Sequence, residues 1–292
     1  MSAVPTDATR RRPRSRRPLT PGRVVANILA IAFCLLWIFP AYWMLNTAFK
    51  PPYDVTTATP QFLPVHATLE NFRAAIIQSN FLGDLRNSLI VVSGTLAIAI
   101  ALGIFASAAL SRFRFRGRRV ILVCILAVQM LPGAALLIPM FLVFNKMGLL
   151  DHYLGLILAY VAAVLPFSIW VMRGFFLAIP YELEEAAMID GASTPQILFR
   201  VLFPLVAPGV IATSIFAFVY AWNDYLIAYT FMKDQSMYTL PVWLASFSTP
   251  TTGTNYGGQM AASVLFALPV VIFFLIIQRN LVSGMSSGAV KG

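Results

Sequence analysis

The sequence predicts an all-α membrane protein with six transmembrane helices and both termini in the cytoplasm. Three observations carry that expectation. Hydrophobic residues make up 59 % of the 292 and charged residues only 11 %, whereas a soluble domain has about 25 % charged residues; mean hydropathy is +0.78. Six apolar runs, near 24–45, 88–110, 120–144, 154–172, 206–228 and 260–278, approach or exceed the roughly 20 residues a helix needs to cross a bilayer. They are continuous rather than alternating, which excludes barrel strands. With the N-terminus inside, the inner segments hold sixteen basic residues and the outer ones five, the asymmetry that sets topology.

The chain opens on a basic tail, residues 1–23, with seven arginines, four prolines and no apolar periodicity. Such a stretch cannot bury a core and reads as disordered. It is a topology signal in preference to a lipid-binding arm. Ser15-Arg16-Arg17 does not make an export signal, because the apolar run behind it is too long and lacks a small-residue cleavage site. The net charge of +10 does not point to nucleic acid, since the arginines sit beside apolar runs. Cys34 and Cys124 both lie inside such runs and leave the redox compartment open.

The first span and its outer loop occupy 24–82. Within the loop, 68–77 reads as a short helix capped by Thr68, with Leu69, Phe72 and Ile76 on a face that rests on the membrane or the bundle. The remaining spans form a core over 83–279, followed by a cytoplasmic tail at 280–292. Pro132, Gly133 and Pro139 interrupt the third span and Pro166 the fourth; each proline frees a carbonyl and permits a kink. The outer segment 233–258 is rich in Thr, Ser, Pro and Gly. It is either a passive connector or a surface that meets a soluble partner outside.

The fifth span ends in Trp222-Asn223-Asp224. Counted from Val206, Asp224 lies about 27 Å along the helix, near the outer interface. The three residues are candidates for the wall of a translocation path, or equally an interfacial aromatic anchor with a helix-ending pair.

Residues 180–204 form a polar stretch between two apolar runs, with four of the eleven acidic residues: Glu182, Glu184, Glu185 and Asp190. Pro180 can open a short helix whose first turn holds the three glutamates, where the helix dipole favours them. Gly191 ends it. Ser193 or Thr194 caps a second helix with Pro195 inside its start, and Pro204 limits that helix. Leu183, Ala186, Ala187 and Asp190 share one face at helical spacing, kept shallow by the alanines for close approach of another surface. Three glutamates argue against a helix lying on the negative inner leaflet.

Catalytic and metal-ligating constellations are not evident. His66 and His152 are far apart, and there is no phosphate-cradling G-x-x-x-x-G-K-[ST]. No ATP site is expected on this chain.

Glu185-Ala186-Ala187, three residues, Gly191, nine residues, then Val201-Leu202-Phe203-Pro204 resembles the EAA loop of ABC importer permeases, with Val201 and Phe203 as conservative departures. Trp222-Asn223-Asp224 and the C-terminal Gly284 to Gly292 are similar to stretches of carbohydrate permeases of the MalG-like family. The resemblance implies a type I ABC importer permease (MetI-like) fold in a bacterial plasma membrane. It also implies a homologous second permease, an ATPase dimer that holds ATP and Mg, and an extracytoplasmic sugar-binding protein. Glu185, Ala186, Ala187, Asp190, Gly191 and Pro204 would dock on the ATPase. Ser287, Gly288, Ala289, Val290, Lys291 and Gly292 would reach between the ATPases, and the outer segment 233–258 would touch the binding protein. A permease for glycerol phosphate shares these motifs. An ion-coupled secondary transporter would need charged residues at mid-span, which the runs lack.

Overall fold

The structure, a computed structural model, describes residues 21–57, 59–77, 80–249 and 253–286. The basic tail up to residue 20 and the expected ATPase contact at 287–292 lie outside the described residues. Contacts divide the chain between Trp43 and Met44. Among the described residues, the first unit is the greater part of helix α1, Pro21–Ala48, an apolar helix with Pro40 inside it.

The second unit continues through α2 (Pro52–Val55), α3 (Glu70–Ile77), α4 (Phe81–Arg112), α5 (Arg118–Gln129), α6 (Gly133–Lys146) and α7 (Tyr153–Ala178). Then come α8 (Glu182–Ile189), α9 (Thr194–Ile197), a π-helical turn (Leu198–Leu202), α10 (Phe203–Asn223), α11 (Leu226–Phe231) and α12 (Leu240–Ala245). A two-residue hairpin, β1 (Ser248–Thr249) and β2 (Gly253–Thr254), precedes α13 (Tyr256–Ser286). The fold is thus all-helical apart from that hairpin, among the described residues.

α4 and α7 form the most extensive helix pair, and α10 packs on both. Membrane helices gain little from apolar transfer between lipid and neighbour, so close packing decides their contacts. A Cβ at Gly209 of α10 would stand 2.6 Å from the Phe175 ring of α7, so only glycine allows that approach. Two apolar clusters result. The larger joins Val91, Ala99, Leu156, Tyr160, Val164, Phe218 and Trp222. The smaller, at the end of the bundle where Arg112 lies, joins Ala108, Phe176, Ile179, Ile197, Leu202 and Val206.

Four expectations need correction. The third span is not a kinked rod: α5 and α6 meet at a bend of 104°. Pro132 stands there in extended backbone with φ −66° and ψ 121°; it cannot donate, and it disfavours helix in the residue before it. Among the described residues, five helices are therefore long and apolar enough to span, with a sixth if the bent pair counts as one.

Pro204 does not end a helix. Helical structure runs without a break from Thr194 to Asn223, because the wide π turn before Pro204 loosens the hydrogen-bond ladder where its ring and missing N–H would otherwise conflict.

On α3 the buried residues are Asn71 and Ala75, not the expected face, and Leu69 is 66 % exposed. Asn71 Nδ2 donates to the carbonyls of Ala48 (2.9 Å) and Lys50 (2.7 Å), and this polar anchor outweighs the apolar stripe. Thr68 Oγ1 accepts from the Glu70 N–H at 3.1 Å, as a cap.

The segment after Lys233 is not simply a polar connector. Leu240, Pro241, Val242 and Trp243 are buried, and Trp243 packs on Phe81 with ring centroids 5.1 Å apart.

Candidate docking site

The connection from α7 to α10 forms a helical hairpin beside Arg112. α8 starts at Glu182 with three glutamates in its first turn and ends at Gly191, whose φ of 81° lies in the left-handed region. The Gly191 N–H donates to the Met188 carbonyl (3.0 Å) and the Ala192 N–H to the Ala187 carbonyl (2.9 Å). This paired closure satisfies carbonyls that the helix end leaves open. An added Cβ at Gly191 would meet nothing within 4 Å, so conformation and not space demands glycine there. α9 starts with Gln196 Oε1 accepting from the Ser193 N–H (2.8 Å) and from its hydroxyl (3.1 Å).

The hairpin has a bound side and a free side. Ala187 packs on the smaller apolar cluster with Ile197 and Leu202. Glu184 is buried, and its Oε1 lies 2.8 Å from Arg112 Nε, the two side chains being 10 % and 5 % exposed. Arg112 Nη2 donates to the Ile179 carbonyl at 3.0 Å, and its guanidinium lies 4.6 Å from the centre of the Tyr181 ring. Glu185, Ala186, Asp190 and Gly191 are exposed. Ile189 is 87 % exposed, more than any other large hydrophobic side chain among the described residues. The outward surface therefore runs through Glu185, Ala186 and Ile189, one residue round from the expected stripe, because Ala187 is turned inward. Pro204 is exposed on the rod that follows.

Sequence reasoning missed Arg112 and Glu184. Arg112 read as one of five clustered arginines and Glu184 as one of three glutamates. Their one signal is that Glu184 precedes Ala187 by three positions and so shares its side of the helix.

At the other end of α4 the polar groups hold a cap. Asn87 Nδ2 donates to the carbonyls of Ser236 (2.9 Å) and Tyr238 (2.8 Å), while its Oδ1 accepts from the Tyr153 hydroxyl at 2.7 Å. The Leu240 N–H donates to Ser88 Oγ at 2.7 Å. Asp151, at φ 57°, accepts from the backbone N–H groups of Lys233 and Asp234. The Ser236 N–H holds the Asp234 carboxyl below its usual range.

Trp222, Asn223 and Asp224 stand in three different environments. Trp222 is buried between Phe218 and Phe266. Asn223 is exposed and donates back to the Val219 carbonyl at 2.8 Å. Asp224 Oδ1 accepts from the Tyr160 hydroxyl (3.0 Å) and from the N–H groups of Ile227 (3.0 Å) and Ala228 (3.2 Å), which open α11.

His66 Nδ1 lies 3.1 Å from Asp54 Oδ2, and no cluster of three metal-ligating side chains occurs among the described residues.

Together, fold and hairpin define a multi-pass membrane protein with a helical element exposed between two of its spans. Residues 99–287 match the family described as the inner membrane component of binding-protein-dependent transport systems, and the chain belongs to that family. It is 41 % identical to the diacetylchitobiose uptake system permease protein DasC of Streptomyces coelicolor, over 93 % of this chain and 98 % of DasC. It is 35 % identical to the trehalose transport system permease protein SugB of Mycobacterium tuberculosis, over 92 % of this chain and 96 % of SugB. A chain of a bacterial ABC transporter involved in the import of the acidic polysaccharide alginate shares the fold, with a TM-score of 0.77 and 25 % identity over 88 % of this chain and 95 % of that one.

Proposed function

We propose that this chain is one of two homologous permease subunits of an ATP-driven importer for a di- or oligosaccharide. The hairpin from Glu182 to Pro204 docks on a separate ATPase that holds ATP and Mg. One observation carries the docking role. The hairpin is anchored on one side by a buried ion pair and an apolar cluster, yet leaves Glu185, Ala186 and Ile189 uncovered. Met188 and Ile189 stand next to each other uncovered on that free side, an apolar patch beside Glu185 that a partner surface would cover.

The basic residues beside it support a cytoplasmic position, where an ATPase works. Permeases named for diacetylchitobiose and trehalose support the sugar class and weigh against glycerol phosphate. Closure of the ATPase dimer would displace the hairpin as a rigid body, and the spans would alternate between inward- and outward-facing states. The outer segment 233–258 would meet the sugar-binding protein that delivers the load. The terminal residues Ser287 to Gly292 would reach the ATPases.

The test is Gly191→Asp. Sugar uptake is abolished while the chain still inserts into the membrane at its normal level. Normal uptake by this variant overturns the docking role.

A further inference from the structure

We infer that the Arg112–Glu184 pair is a positioning couple that sets the angle of the docking hairpin against α4 and α7; this rests on the docking role proposed above. One guanidinium gathers three groups that are close in sequence but belong to different pieces of structure. Nη2 holds the Ile179 carbonyl at the end of α7, the planar face covers Tyr181 in the turn, and Nε faces Glu184 in the first turn of α8. The arginine itself is the last residue of α4. The ends of two spans and the start of the hairpin thus converge on a single rigid fork of donors. Of the three glutamates, Glu184 alone is buried.

Stability does not account for the pair. Two charges withdrawn from water gain little over well-packed apolar side chains of similar size, whereas their geometry is far more specific. The apolar cluster beneath the hairpin is made of aliphatic and aromatic side chains that tolerate sliding, whereas the Nη2 bond to the Ile179 carbonyl and the close approach of Nε to Glu184 admit one position. The pair therefore contributes direction: a push on Glu185 and Ile189 reaches α4 and α7 without being lost in a change of hairpin tilt.

The experiment uses the full transport complex in proteoliposomes and compares the native chain with Arg112→Lys and with the double variant Arg112→Met/Glu184→Leu. Lysine keeps the charge and loses the fork. The double variant keeps an apolar, packed site. The readout is ATP hydrolysed per sugar transported, which a merely structural role would not move. Both variants are expected to assemble and to raise that ratio by about fivefold or more. A double variant that assembles and couples within about twofold of the native chain overturns the inference.

A second measurement stands apart from docking. Spin labels at Arg116 and Ile189, in a Cys34→Ser/Cys124→Ser background, report the spread of distances between the turn that follows α4 and the hairpin. A narrow spread in the native chain that widens in the double variant supports the couple even if the chain binds no ATPase, in which case the docking role alone fails. Equal spreads overturn the couple.

Discussion

The two ends of α4 carry connections of similar polarity that fold in opposite senses. At the Arg112 end, the hairpin buries one of its charges and leaves two of its large hydrophobic residues outside: Glu184 is inward while Met188 and Ile189 are exposed. At the Asn87 end, the segment after Lys233 buries Leu240, Val242 and Trp243 and leaves Lys233 and Asp234 exposed. The second arrangement is a lid that completes its own core. The first is packed on its far side against an apolar cluster and oriented there by a buried ion pair. Polarity of a loop is thus a poor guide to whether it meets a partner; which side of it is satisfied internally is a better one.

The largest contrast is expected from charge reversal on the free surface of each end. Glu185→Lys abolishes sugar uptake, whereas Asp234→Lys leaves uptake near normal in the same transport assay. Equal loss from both would erase the distinction between partner surface and lid.

Next comes Asn87→Ala, which deprives the Ser236 and Tyr238 carbonyls and the Tyr153 hydroxyl of the shared partner in their part-buried bonds. Each unsatisfied group costs about 1–3 kcal/mol, so opening of the outer segment rises at least about tenfold, read as faster limited proteolysis between Lys233 and Gly253. An unchanged cleavage rate would mean that the lid is held by Asp151, Ser88 and its buried side chains without help from Asn87.

Gly191→Ala should cost roughly 1–2 kcal/mol for a left-handed residue bearing a Cβ. Gly191→Asn should cost less, because Asn enters that region more readily. Amide exchange in α8 distinguishes the two, and equal protection in both variants would refute a conformational demand at this position.

The smallest effect is expected from deleting Ser287 to Gly292, which lowers the stimulation of ATPase by the loaded binding protein. Unchanged stimulation would remove the tail from the coupling path.

Much of this was legible in the chain. Long apolar runs have one solution in a bilayer, so the runs fall on α4, α7, α10 and α13, although α4 begins earlier and α7 and α13 extend further than the runs do. The hairpin was legible because its signals are local: glutamates in a first turn, a glycine at a left-handed end, a serine before proline. What failed depended on distant contacts. The anchoring of α3 by Asn71 is set by carbonyls more than twenty positions away. The burial of Trp243 needs Phe81, and no periodicity announces either. Pro132 looked like a kink because proline is common in membrane helices; the adjoining glycine in a run with no buried neighbours let it become a corner. Trp222 and Asp224 looked like neighbours with one task, but a helix end separates them into a core residue and a cap.

The π turn between Leu198 and Leu202 has one further consequence. There the Phe203 N–H reaches back to the Leu198 carbonyl, five residues away, so the turn holds one residue more than an α-helix would. Each residue advances a helix by about 100° and about 1.5 Å. That single spare residue fixes the azimuth at which α9, and with it the hairpin, leaves the axis of α10. Excising one residue from the turn would leave the span intact and point the hairpin about 100° away from its present heading.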